Sequence, residues 1–215
     1  PRGFHVEYGP VIHPSGIDLT WSACNLSTAL GTGDIVFNCN DPAASYTVFA
    51  NFQIPTDLDG FVAMDGTIDV EVNGGTTLPP FWHLESGGCN NAGLALSDNR
   101  PSFACPSTSN STAWGAGGGQ SDAVITAYGV GTIGPTTGRL LFTIARASSN
   151  PIALVGGQNY YAFDLTFYMD NTLSCAGCAM PVGLIWTRAV FYSVAGANGV
   201  EAAPIEINNP GLRSN

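Results

Sequence analysis

Hydrophobic and polar positions alternate with period two along much of the chain. Phe4, Val6 and Tyr8 alternate with His5 and Glu7, and Ile17, Leu19 and Trp21 alternate with Asp18 and Thr20. Tyr46, Val48, Ala50 and Phe52 form another such series, in which Phe49 interrupts the polar face. Ile68, Val70 and Val72 alternate with Asp69 and Glu71, and Ile205 and Ile207 flank Glu206. Leu140–Ala145 carries apolar residues on both faces, and Tyr161, Phe163, Leu165, Phe167 and Met169 alternate with Asp164, Thr166 and Tyr168. Successive side chains of a strand point to opposite faces, so these patterns predict strands with one or both faces buried. Fainter strand signals lie at 35–39, 81–84, 123–128 and 183–194. No apolar spacing of 3.6 is sustained, and helix is expected only as short turns near 26–30 or 90–97.

Turn chemistry punctuates the runs: Gly9-Pro10, Asn73-Gly74-Gly75, Gly117-Gly118-Gly119, Gly156-Gly157 and Asn198-Gly199. About ten strands on short connections predict an all-β fold of two packed antiparallel sheets, a sandwich or jelly roll. The reading is a single domain over 17–208, preceded by a strand and tether over 1–16 and followed by a polar tail over 209–215. Residues 85–122 carry the least pattern and read as a long excursion pinned by a disulfide.

Composition narrows the class of partner. Only 10% of residues are charged, against about a quarter in an average domain, and the formal net charge is −10. All six basic residues are Arg. A chain without basic clusters is a poor ligand for nucleic acid or anionic lipid, because phosphate must be neutralised by Lys and Arg. The absence of Lys also removes Schiff-base chemistry and Lys–Asn crosslinks. No apolar run of membrane-spanning length occurs, so no membrane span is expected.

Six cysteines fall as three close pairs: Cys24 with Cys39, Cys89 with Cys105, and Cys175 with Cys178. An even count with near neighbours predicts three local disulfides and an oxidising, extracellular compartment. The start at Pro1 reads as a mature form whose leader has been removed.

Candidate chemistry is sparse. Cys175-Ala176-Gly177-Cys178 has the spacing of a redox motif, but it lacks the strand-to-helix setting that lowers a thiolate pKa. The expectation is a structural disulfide across a turn. Asp57, Asp59 and Asp65 form the densest acidic stretch and are the candidate ligands for calcium, which takes several carboxylate and carbonyl oxygens. No Gly-x-Ser-x-Gly elbow is present, and His5, His13 and His83 sit in unremarkable contexts, so no enzyme is expected. Trp82 and Trp114 are the candidates for an aromatic platform that would stack on glycans; Trp114, in a Ser/Thr/Gly-rich loop, is expected to be exposed. Asn25-Leu26-Ser27 and Asn110-Ser111-Thr112 are glycosylation sequons.

The amphipathic strand at residues 3–9 is tethered through Gly9-Pro10 and Pro14-Ser15-Gly16. Such a strand can pair with its own domain or with an open edge of a neighbour, which makes Phe4, Val6 and Tyr8 candidate subunit contacts. In this respect the chain resembles pilin-type subunits, whose donor strands complement a neighbouring subunit. The set Leu19-Thr20-Trp21-x-x-Cys24, Asn38-Cys39-Asn40, Pro80-Phe81-Trp82 and Cys175-Ala176-Gly177-Cys178 resembles secreted disulfide-paired β-sandwich proteins of environmental bacteria, and the resemblance implies secretion. The expected function is an extracellular structural subunit that binds copies of itself in a filament or surface layer. The alternative is a secreted carbohydrate-binding or adhesion module.

Overall fold

The computed structural model describes residues 4–6, 16–24, 34–105, 111–114, 121–195, 199 and 201–209, with residues 4–6 described by their backbone. Among these residues are thirteen strands and one 3-10 turn, Pro80–Trp82. The strands are β1 (Phe4–Val6), β2 (Gly16–Trp21), β3 (Asp34–Ile35), β4 (Ser45–Gln53), β5 (Leu58–Val72), β6 (Leu94–Ser97) and β7 (Ser111–Thr112). They continue as β8 (Ser121–Val130), β9 (Thr137–Arg146), β10 (Ile152–Leu154), β11 (Tyr160–Tyr168), β12 (Val182–Ser193) and β13 (Ile205–Asn208).

Two sheets result. The larger has the order β3-β1-β12-β5-β9-β8, with β10 beside β5 and β13 beside β12; the smaller has the order β2-β4-β11-β6, with β7 beside β11. Pairing is antiparallel except at β1–β12 and β7–β11. The inner faces meet as the period-two patterns require. Phe142 and Trp186 of the large sheet reach Phe163 of the small one, with ring centroids 4.5 Å and 5.0 Å from it. Phe52 and Phe191 meet at 4.6 Å across the same interface. Aromatic pairs at such separations add to the stabilisation from apolar burial alone. The fold is therefore the expected all-β sandwich.

Several local expectations change. Residues 81–84 hold the 3-10 turn rather than a strand, and 90–97 holds β6 rather than a helical turn. The stretch 85–122 contributes β6, β7 and the start of β8. Leu141, expected to be buried, is 39% exposed, because that face of β9 looks outward. Asp69 also points outward on β5 but is fully buried: Arg139 on the adjacent strand grips both carboxylate oxygens, at 2.7 and 2.8 Å. Of the two pairings open to the N-terminal strand, with its own domain or with a neighbour, residues 4–6 take the first, in the large sheet, and Asn209, assigned to the tail, donates its N–H to the Thr187 carbonyl at 2.9 Å. The rest of the tail lies outside the described residues.

All six cysteines are oxidised, but the pairing differs from the local one expected. Cys24 joins Cys105, Cys39 joins Cys178, and Cys89 joins Cys175. Sequence separations of 81, 139 and 86 replace local loops. The reason is topological. Antiparallel sheets bring the ends of distant strands together, so each cysteine's nearest sulfur lies across the fold.

Candidate functional site

The N-terminal strand lies at one side of the large sheet. There, β1 lies between β3 and β12. Phe4 and His5 pair with Ile35 and Asp34, and His5 and Val6 pair with Gly183 and Leu184 in parallel register. The strand therefore occupies a slot one strand wide.

Both walls of the slot have independent anchors. The inner wall, β12, is paired along its length with β5, and the Asn73 N–H donates to the Pro181 carbonyl at 2.9 Å. The outer wall, β3, continues into Phe37, which is 4% exposed and stacks on Tyr46 at 4.3 Å with Trp21 and Trp82 nearby. The chain then reaches Cys39, which is bonded to Cys178 just ahead of β12. A covalent tie and a buried aromatic plug thus fasten the walls to each other and to the core. The sequence identified the strand but not the slot, because the slot depends on the Cys39–Cys178 pairing.

The backbone of residues 4–6 is in this sheet. The side chains of Phe4 and Val6, and all of Tyr8, lie outside the described residues. Trp82 and Trp114 are fully buried, 0% and 1% exposed, so neither forms a surface platform. Trp114 is drawn inward because β7 aligns beside Tyr160–Tyr161; its ring packs 5.2 Å from Phe61 and its indole N–H donates to the Ala162 carbonyl. The Ser/Thr/Gly surroundings that suggested a loop conceal this short strand.

The candidate calcium ligands do not converge. Asp57 accepts the Gly156 N–H at 2.8 Å, Asp59 is exposed at the start of β5, and Asp65 lies further along the same strand. At about 3.3 Å rise per residue, Asp65 sits ~20 Å from Asp59. The Asp65 carboxylate instead accepts from the Thr143 hydroxyl at 2.6 Å and the Tyr192 hydroxyl at 3.0 Å. Among the described residues, no three His, Cys, Asp or Glu side chains gather closely enough to hold a metal ion.

One titratable cluster was not singled out from the sequence. Asp164 faces outward from β11 but is only 9% exposed, and it accepts the Tyr161 hydroxyl at 2.9 Å. Asp98, beyond β6, accepts the Ser121 hydroxyl of β8, which links the edges of the two sheets. Burial raises the Asp164 carboxyl to about 6, the bond from Tyr161 draws it back, and Asp98 pushes it further up. The same burial and the neighbouring Asp164 charge push the Tyr161 phenol up.

The consequence for stability has a definite sign. A carboxyl whose folded pKa is raised holds its proton more tightly in the folded state. Its contribution is therefore fully present below about pH 4 and is lost as pH rises toward 6. We expect the loss to be about 1–2 kcal/mol, the full linkage of ~1.4 kcal/mol per unit being reduced by solvent that reaches the carboxylate. Asp164→Asn keeps an acceptor for Tyr161 and cannot ionise. Relative to the parent, this variant should gain stability between pH 4 and 7 in urea unfolding; a constant difference between the two would refute the assignment.

Comparison of the chain with family models, curated proteins and solved structures found no match.

Proposed function

We propose that the protein is an extracellular structural subunit that assembles with copies of itself by passing the N-terminal strand, residues 3–9, into the slot of a neighbour. The observation that carries this reading is the slot between β3 and β12, whose walls are joined by Cys39–Cys178 and anchored without the strand that fills it. A copy of the strand from another subunit makes the same pairs as the chain's own strand, so exchange carries no cost in contacts. Among the described residues, the backbone of Phe4–Val6 supplies a few ladder hydrogen bonds of ~0.5–1.5 kcal/mol each, and a donated strand supplies the same ones.

Three disulfides indicate an oxidising compartment. No helix among the described residues is long and apolar enough to cross a membrane. The glycan-binding alternative rested on Trp82 and Trp114, whose burial removes its platform.

Deleting residues 1–9 tests the proposal. The wild-type chain should form regular fibres or layers in negative-stain microscopy, and the truncated chain should remain folded as a monomer. Monodisperse wild-type particles near 22.3 kDa in light scattering would overturn self-assembly. Unfolding of the truncated chain would assign the strand to its own domain and overturn the exchange.

A further inference from the structure

We propose that Cys175-Ala176-Gly177-Cys178 is a thiol–disulfide exchange centre: a thiol that attacks Cys89 causes the motif to close on itself and to release Cys39. The geometry that carries this is the convergence of two disulfides, from two distant segments, on one short turn. Cys175 holds Cys89, and Cys178 holds Cys39.

Accessibility sets the direction of attack. Cys89 is exposed, whereas Cys175 and Cys178 are only 1% and 3% exposed. An incoming thiolate therefore reaches the Cys89 sulfur and expels Cys175. The Ser174 hydroxyl lies 4.0 Å from the Cys175 sulfur and can turn toward the departing thiolate from its present acceptor, the Asn171 carbonyl. The nearest second disulfide along the chain is that of Cys178, across the turn.

That turn is held in place before any thiol arrives. Gly177 has φ +98°, and a side chain there would run into Pro79 at 2.2 Å. The Ala176 carbonyl accepts the Phe81 N–H at 3.0 Å. A pair of cysteines separated by two residues is a spacing that a disulfide can bridge.

The steps balance. The external thiolate forms a mixed disulfide with Cys89 as Cys89–Cys175 breaks. The Cys175 thiolate then attacks the Cys178 sulfur, Cys175–Cys178 forms, and Cys39 leaves as a thiolate. Two disulfides are present before and after, and one thiolate is consumed for the one released. Breaking Cys39–Cys178 also unfastens β3 from β12, the two strands that flank residues 4–6.

The test treats the folded protein with about one equivalent of reduced glutathione, quenches with iodoacetamide and maps the peptides without reduction. The expected map shows a Cys175–Cys178 bond, alkylated Cys39, glutathione on Cys89 and intact Cys24–Cys105, whose sulfurs are both fully buried. In Cys39→Ser/Cys178→Ser the relay has no acceptor, and Cys175 should be alkylated instead. Alkylated Cys175 with intact Cys39–Cys178 in the wild-type map would overturn the proposal, as would an unchanged map or equally fast opening of Cys24–Cys105. The wild-type map decides the matter even if the double variant fails to fold.

Discussion

Replacing Cys39 and Cys178 together by alanine should lower unfolding free energy by about 3–4 kcal/mol. The direct sequence separation of 139 overstates the constraint. With the other two disulfides intact, the unfolded chain is already tied along a shorter route: Cys39 to Cys24, across to Cys105, on to Cys89, across to Cys175 and then to Cys178. The three bonds and these short segments form one covalent ring, so removing any one of them releases the same ring. The Cys89/Cys175 pair should therefore cost the same within about 0.5 kcal/mol, since loop entropy depends only weakly on length. The Cys24/Cys105 pair should cost more, because both residues are fully buried and alanine there also leaves a cavity. Urea unfolding of the three double variants under oxidising conditions checks this. A cost for Cys39/Cys178 well below that for Cys89/Cys175 would mean that the ring does not govern the unfolded state.

The same ring explains why the fold was legible in the sequence and the site was not. Alternation at Ile17–Trp21, Tyr46–Phe52, Ile68–Val72 and Tyr161–Phe167 is a local consequence of placing every second side chain in the core, and each of these runs is a strand. The early start of β5 was hidden: Asp57-Leu58-Asp59-Gly60 has turn composition, but Leu58 pairs with Leu154 and the Gly60 carbonyl accepts the Val194 N–H. Ladder bonds from distant strands overrode the local preference. Disulfide pairing is non-local in the same way. The spacing of Cys175 and Cys178 cannot reveal that two other segments arrive at the same turn. The buried Tyr161–Asp164 contact also escaped, since Asp164 occupies an outward position in an alternating strand and its burial comes from neighbouring elements.

The slot and the staples have a common logic. A strand that leaves its own sheet exposes the edges it covered, and such edges collapse or pair indiscriminately unless held. Here the edge strand β3 is two residues long, but Phe37 and Cys39 immediately follow it and pin it at the core and at Cys178. Backbone pairing by so short a strand cannot hold that position alone. The disulfide therefore contributes more to the shape of the slot than to the hydrophobic core, which the cross-sheet aromatic contacts maintain.

Replacing Gly66 by alanine should lower unfolding free energy by about 2–4 kcal/mol, the upper range for overpacking a close-packed core. Gly66 lies at the centre of β5, opposite Phe142 on β9 and Ala189 on β12. The Phe142 ring lies over the glycine, so an added methyl carbon would sit 2.0, 2.4 and 2.7 Å from three ring atoms. The ring has nowhere to go: Phe142 is 1% exposed and is held by Phe163 at 4.5 Å and Trp186 at 6.3 Å. Displacing it would disturb the main contact between the sheets. The glycine is thus required by the aromatic residue covering it, an arrangement that fills the gap a glycine leaves in a strand. A double-mutant cycle separates this cause from loss of glycine flexibility. Phe142→Leu removes the atoms that clash, so Gly66→Ala should be at least about 1 kcal/mol less harmful in that background than in the parent. An equal penalty in both backgrounds would locate the cost in the β5 backbone and refute the steric account.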